Sequence, residues 1–408
     1  MEVVFSRCSG LDVHKTSVMA NVRIGHEDGR MEVVKETFGT TTNELSRLSE
    51  WLSRHGVTHV AMESTGVYWK PVYNILHEQF DVWIVNARHL AQVPGRKTDD
   101  SDAAWIAKLM SYGLLERSFI PPEEQRDLTR YRTRLLAEKS SAANRLHKVL
   151  EDANIKLTSV ATDIQGVSAR LMLDALIADE QSPEEMAQLA QRRMRSKIPQ
   201  LVEALTGRVR PHHRFLLQEI LLHLDSLNQR IETLNQQIVK LTLPHAKLIE
   251  RLVKVTGIGV RTAEIILAEI GPSVENWSSA AKLASWACIC PGNHESAGKR
   301  KSGKRRKGQR WLVTALVEAA WAASRSKDTY LASQFHRLRV RRGAKRAAVA
   351  VAHSILTIVY HLLKDPTTSF QDLGGDYFLK HNKEQEQRRA LKTLRSIGYD
   401  IVLTPVTA

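Results

Sequence analysis

Residues 8–24, CSGLDVHKTSVMANVRI, are rich in β-branched and small residues and carry no helical stripe. They read as strand. The turn GHEDGR (25–30) follows, and then MEVVKETF (31–38), a second strand. TTTNELSRLSEWLSRHG (40–56) switches to helical spacing, with threonine caps, Leu45, Leu48, Trp51 and Leu52 on one stripe, and Gly56 at its end. VTHVAMEST (57–65) is a short buried strand with Glu63 near its end. GVYWKPVYNILHEQ (66–79) is a helix interrupted early by Pro71, and DVWIVN (81–86) is another apolar strand. Strands alternating with helices over residues 1–120 make an α/β domain.

Asp12 sits on the first of these strands. GRKTDDSDAAWIAKLM (95–110) then crowds Asp99, Asp100 and Asp102 into the opening of a helix that continues through Trp105, Ile106 and Leu109. Acidic residues suit a helix N-terminus for electrostatic reasons alone. The spacing allows more. Positions i and i+3 share a helix face, so Asp99 and Asp102 point together and Asp100 turns away. Two carboxylates on one face repel unless a cation lies between them, and hard oxygen donors suit Mg²⁺ or Mn²⁺. Strand ends of an α/β sheet converge on one edge. Asp12, Glu63, Asp99 and Asp102 therefore form a candidate metal site, able to hold two divalent ions for phosphodiester chemistry.

From residue 121 the chain becomes helical. EEQRDLTRYRTRLLAEKSSAANRLHKVLEDANIKL (123–157) is one long amphipathic helix carrying Arg126, Arg130, Arg134, Lys139, Arg145 and Lys148. A solvated charged face is the plain reading and a nucleic-acid face the sharper one. Shorter helices and the acidic stretch DEQSPEEM fill residues 160–210. Leu217, Ile220, Leu224, Leu227, Ile231, Leu234, Ile238 and Leu241 then step by three and four without a slip, as in a coiled-coil strand. Its partner is either the 123–157 helix or a second chain. A G-I-G turn at Gly257 and Gly259 precedes another helix and can present N–H groups to a phosphate, though a plain helix turn reads equally well. The expected divisions are 1–120, a helical and coiled-coil assembly region at 121–245, a third domain at 246–365, and a polar tail at 366–408.

The loop PGNHESAGKRKSGKRRKG (291–308) places Ser296 before Lys299, Arg300, Lys301, Lys304, Arg305, Arg306 and Lys307, with Arg310 just beyond. Such a loop can cradle phosphate. Ser296 is then either a phosphate hydrogen-bond donor or a nucleophile whose alkoxide the surrounding cations favour. RLRVRRGAKR (337–346) adds Arg341 and Arg342 ahead of a last helix at about 343–364. The 408 residues carry 59 Lys and Arg against 44 Asp and Glu, a net +15, the footprint of a polyanion partner. Three cysteines, Cys8, Cys288 and Cys290, lack the spacing of a disulfide framework or a zinc site. No apolar run approaches the length of a membrane span, and the N-terminus lacks a secretion pattern. A cytoplasmic protein without membrane partners, nucleoid-associated when active, is expected.

GLDVHK, ESTGVYWKPV, VNARHL, PGRKTDDSDAAWIA, GIGVRTAEIILAEIG and CPGNHESAGKRKSG, with AHSILTIVYHLL near the end, resemble in this order the DEDD-type insertion-sequence transposases. That family includes Piv-like DNA invertases and bridge-RNA-guided recombinases. The resemblance spans nearly the whole chain. It implies a RuvC-like, RNase-H-type first domain with the tetrad Asp12, Glu63, Asp99 and Asp102, a mostly helical C-terminal transposase domain, and Ser296 as nucleophile. Ser302 competes for that role. Many members have Ser-Gly at the nucleophile, and here the order is Ser-Ala-Gly. The resemblance further implies donor and target DNA as substrates, an element-encoded non-coding guide RNA that pairs with both, and self-association as a dimer or tetramer. The alternative is a metal-dependent, Holliday-junction-resolvase-like nuclease with water as nucleophile. A non-enzymatic reading, a nucleic-acid-binding assembly protein with a dead RNase-H fold, requires the four carboxylates to be idle.

Overall fold

A computed structural model describes residues 2–26, 28–64, 66–87, 90, 101–292, 294–296, 299–306, 308–381 and 383–399. The chain divides into two compact units, 1–120 and 121–408.

The first unit is built on a five-stranded sheet. Its strands are β1 (Arg7–Val13), β2 (Ser17–Gly25), β3 (Met31–Gly39), β4 (His59–Glu63) and β5 (Asp81–Val85), in spatial order β3-β2-β1-β4-β5. Strands β1, β2 and β3 are antiparallel, while β4 and β5 run parallel to β1. This mixed sheet with its helices is the RNase-H-like architecture expected. The 8–24 stretch is two strands rather than one. The His14 N–H reaches the Ser17 carbonyl at 2.9 Å and closes a tight turn, so MEVVKETF is the third strand. Sequence periodicity does not register so short a reversal, because both arms keep strand character.

Helix α1 (Thr42–Arg54) buries Leu45, Leu48, Trp51 and Leu52 and ends at Gly56, whose φ of +66° favours glycine. Helix α2 (Trp69–Leu76) carries Pro71 in its first turn without interruption. N–H groups there have no intrahelical acceptor, so the missing one costs nothing. Together α1 and α2 cover one face of the sheet with Leu11, Val13, Val60, Met62, Val82 and Ile84. The other face carries Cys8, Ala61 and Val85 beneath α3 (Asp102–Ser111), which contributes Trp105, Ile106, Leu109 and Met110.

The second unit is helical apart from one hairpin. Helix α4 (Glu123–Asp152) lies along α9 (Pro211–Thr242). Between them in sequence come α5 (Leu157–Val160), α6 (Val167–Ala178), α7 (Pro183–Gln188) and α8 (Ile198–Leu205), which complete one apolar core. Of the heptad positions, Leu217, Leu224, Leu227, Ile231 and Ile238 are buried within the chain, and Ile220, Leu234 and Leu241 are half-buried. That seam is therefore intramolecular.

Helices α10 (Ala246–Val253) and α11 (Val260–Ile270) flank the G-I-G turn, and α12 (Ala280–Trp286) precedes the hairpin β6 (His294–Ser296) and β7 (Lys299–Ser302). Then come α13 (Arg310–Ala323), α14 (Tyr330–Arg342) and α15 (Ala344–Lys364), and the tail forms α16 (Tyr377–His381) and α17 (Lys383–Ser396). By length and composition α15 could cross a bilayer, which corrects the expectation that no apolar run reaches that length. Its Ala347, Val351, Ile355, Leu356 and Val359 are buried, and it packs on α13 and α14 as a core helix does.

Candidate active site

Side-chain alternation along the sheet sorts the acidic residues. Even positions of β1 (Cys8, Gly10, Asp12) face α3, and odd ones (Leu11, Val13) face α1 and α2. On β4, Ala61 and Glu63 take the α3 face. β1 and β4 are paired in parallel up to Leu11 and Met62, so the next step of that register sets Asp12 beside Glu63 at the carboxyl ends of adjacent strands.

Helix α3 brings the third carboxylate to the same end. A Cβ at Gly10 would lie 2.2 Å from the Ala103 carbonyl oxygen and 2.3 Å from the Ala107 nitrogen. The first turns of α3 therefore rest directly on β1, two residues before Asp12. Ser101 is the N-cap, its hydroxyl accepting the Ala104 N–H at 3.3 Å, so Asp102 is the first helical residue. The expectation that Asp99 and Asp102 share a helix face rests on Asp99, which lies with Asp100 outside the described residues.

Asp12, Glu63 and Asp102 are hard oxygen donors at one edge of the sheet, and their chemistry suits a divalent cation of the Mg²⁺ or Mn²⁺ class, although among the described residues the three are not drawn within 4.8 Å of one another. Asp12 is reachable, with a side chain 26% exposed, and His14 Nε2 lies 3.2 Å from its Oδ2. His14 is a residue the sequence reading passed over. Its signal was its place two residues after Asp12, just past the strand end. Beneath the site, burial pushes the Cys8 thiol from its ordinary value of 9.0 up to about 12, with Arg23 opposing the shift.

Ser296 ends β6, where it pairs with Lys299 of β7, while Ser302 pairs with His294 at the far end of the hairpin. Lys299, Lys304, Arg305 and Arg306 are exposed, Arg300 and Lys301 lie on β7, and Lys307 is outside the described residues. The segment after the hairpin is tied to the end of α12. Arg306 donates to the Ser285 carbonyl at 2.9 Å and to its hydroxyl at 3.0 Å, and Arg305 donates to the Cys288 carbonyl at 3.4 Å.

The long helix divides its cations. Arg134, Arg145 and Lys148 are exposed and Lys139 half-buried. Arg126 is buried beside Glu123, which gives it a packing role in place of the expected nucleic-acid contact. Arg130 holds the fully buried Glu269 of α11 with two parallel bonds of 2.7 and 2.8 Å. Gly257 is likewise used inside the fold. With φ of +92° it lies against α13, where a Cβ would meet the Ala319 carbonyl at 2.2 Å, so close packing and not phosphate contact accounts for it. Gly259 is the open N-cap of α11, with nothing near its missing Cβ. Arg310 opens α13, and Arg341 and Arg342 are exposed at the end of α14.

Among the described residues, the group whose ligand atoms all lie within 4.8 Å of one another is a different one, Asp152, His212 and His213, and it is a helix cap. His213 Nδ1 accepts the Arg210 N–H at 3.2 Å and Nε2 faces Asp152 at 2.8 Å, which commits both ring nitrogens.

Two family profiles match the chain. One, described as a transposase with the DEDD motif of IS110 elements, covers residues 9–155 and so includes all four tetrad positions. The other, described as transposase IS116/IS110/IS902 family, covers residues 249–337 and includes the G-I-G turn and the serine hairpin. No curated protein matches the chain. The acidic sheet edge and the two profiles in this order make the protein a DNA-binding phosphoryl-transfer enzyme. The chain belongs to the IS110-family transposases, with a DEDD domain at its N-terminal end and the family's second transposase domain following it.

Proposed function

We propose that this transposase is an RNA-guided recombinase that cuts and rejoins insertion-sequence DNA through a serine–DNA intermediate. The observation that carries the reading is the docking of the Asp102 turn on Gly10, on the sheet face and at the strand ends where Asp12 and Glu63 stand. Asp12, Glu63, Asp99 and Asp102 would hold Mg²⁺ or Mn²⁺, which when bound stabilises the attacking and leaving oxygens of an in-line displacement. Ser296 supplies the nucleophile. Its hydroxyl oxygen bonds to phosphorus as one phosphodiester P–O bond breaks, and the released sugar hydroxyl takes up a proton. Attack by a sugar hydroxyl of the exchanged strand reverses the step and frees the serine. Bond energy is conserved, so no external energy source is needed.

The acidic site and Ser296 come from different subunits of a dimer or tetramer. With the heptad seam of α9 occupied by α4, self-association must use other surfaces. Sequence specificity is delegated to a non-coding RNA from the element's own end, which pairs with donor and target DNA, while the protein reads backbone and shape.

A trapping assay tests the reading. Protein, adjoining transcribed RNA, Mg²⁺ and DNA carrying the element's end are mixed and quenched in denaturant, and DNA-linked peptides are mapped by mass spectrometry. An adduct on Ser296 that disappears in Asp102→Asn, and disappears without RNA, is expected. Cut DNA with free ends and no adduct would replace the proposal with a water-using nuclease, leaving Ser296 as a phosphate-binding residue.

A further inference from the structure

A cavity of about 440 Å³ lies between α4, α11 and α13, and its walls are unusual for a helix junction. Trp311 of α13 forms one wall. The guanidinium carbons of Arg130 and Arg134 stand 5.9 and 5.5 Å from the centre of its ring. Arg130 is fixed there because Glu269, wholly buried, grips it with both oxygens. That pair is electrically closed and makes a rigid floor. Arg134 and Arg310 are different. Both line the cavity and both are exposed; Glu318 lines it too, but among the described residues it makes no ion pair with either. Thr133 and Ser140 also line it. Their hydroxyls donate to the carbonyls of Thr129 and Leu136 at 2.8 and 3.0 Å, so each hydroxyl oxygen keeps capacity to accept a further hydrogen bond.

The volume falls within the range of small-molecule sites, about 300–1,000 Å³. A half-buried indole flanked by arginines is a stacking surface for a π-system. Two guanidiniums beside it that among the described residues hold no ion pair match a phosphate. We infer that this cavity seats one unpaired nucleotide, with its base against Trp311 and its phosphate on Arg134 and Arg310. A paired base cannot offer its face to a ring walled in by three helices, so the nucleotide must come from a single-stranded or looped segment. Stacking and phosphate contact read no particular base, so the seat is sequence-tolerant. The inference rests on the reading of this chain as a nucleic-acid enzyme, and it is independent of the serine step.

The test uses the full chain and needs no catalysis. Single-stranded RNA and DNA dodecamers carrying one photoreactive thio-substituted pyrimidine, and a duplex control, are titrated by fluorescence anisotropy, and the crosslinked peptide is identified by mass spectrometry. Crosslinking to the peptide that holds Trp311 is expected. Trp311→Ala should weaken single-strand binding by about 5- to 150-fold, the range measured for one stacked base. Trp311→Phe should recover most of it, and duplex binding should stay within about two-fold, because backbone contacts dominate duplex binding. Arg134→Ala keeps the test valid should Trp311→Ala fail to fold, since Arg134 is exposed. It should lower the salt slope for single strands by about 0.7. A response confined to RNA identifies a segment of a guide as the source, and one confined to DNA an opened strand. Unchanged binding in both variants, with crosslinks elsewhere, overturns the seat and leaves the Trp311–arginine cluster as helix packing. A wild-type chain that binds no nucleic acid at all would instead sink the broader proposal.

Discussion

Gly10 holds the acidic site together without bearing any of its chemistry. It is a strand glycine because α3 rests on its Cα, with the Ala103 carbonyl and the Ala107 nitrogen where a side chain would begin. Gly10→Ala forces backbone against backbone, so the helix must lift. A cost of about 1–3 kcal/mol, the usual range for overpacking, should appear as a lower urea midpoint. Catalysis should fall further than stability does, because Asp102 moves with the lifted turn. Asp102→Asn separates the two effects. It keeps the shape and removes a charge from the proposed metal site, so DNA cleavage should drop by about a thousand-fold or more, consistent with several kcal/mol of lost transition-state charge stabilisation. The urea midpoint should hold. Cys8 reports on the same interface from below. Its thiol is fully buried and its pKa is raised from 9.0 to about 12, with burial the main cause. A raised native pKa means stability is intact below pH 9, where the unfolded thiol stays protonated, and is lost as pH climbs from about 9 toward 12. Cys8→Ala should flatten that alkaline loss, measured as the urea midpoint at pH 8 and pH 10.5.

Elements show which parts of the fold a sequence can carry. Helix α1 and the heptad run of α9 were legible because each buries one stripe, and burying a stripe imposes a period. The partner of α9 was not legible, since a heptad seam looks alike whether it faces its own chain or another. The strand pair within residues 8–24 was hidden because its reversal takes only three residues, from His14 to Thr16. At the acidic sheet edge, the placement of Asp12 and Glu63 on strands was legible, but the residue at which α3 starts was not. The N-cap is Ser101, and that choice rests on local geometry. The cations of α4 misled for a similar reason. A charged helix face does not reveal that α11 will present buried acids to it. Arg130 meets Glu269, and Arg132, itself buried, meets Glu264 at 2.7 Å. Removing one member of such a pair strands the other without water. Glu264→Ala should therefore cost about 3–5 kcal/mol, read from chemical denaturation. The double change Arg132→Met with Glu264→Leu should cost much less, because it leaves no orphan charge.

At the scale of the whole molecule, the two proposed chemical centres belong to different compact units. Asp12, Glu63 and Asp102 lie within 1–120, and Ser296 within 121–408. Residues that act on one phosphodiester yet belong to separate units can be drawn from one chain or from two. Subunit mixing decides between these routes. Asp102→Asn and Ser296→Ala should each be inactive alone in forming the serine–DNA link. In a two-fold dimer whose sites pair the acidic edge of one subunit with the serine of the other, a mixed dimer holds one site with both wild-type residues and one with neither. Random pairing of equal amounts makes about half the dimers mixed, so about a quarter of the wild-type number of sites should regain adduct formation. If each subunit completes its own site, every site in the mixture lacks one residue and no adduct forms. The mixture is made before DNA and RNA are added, at concentrations where the subunits exchange. Adduct on the serine-bearing chain at that level supports the trans arrangement proposed here, and a blank mixture beside an active wild-type control overturns it.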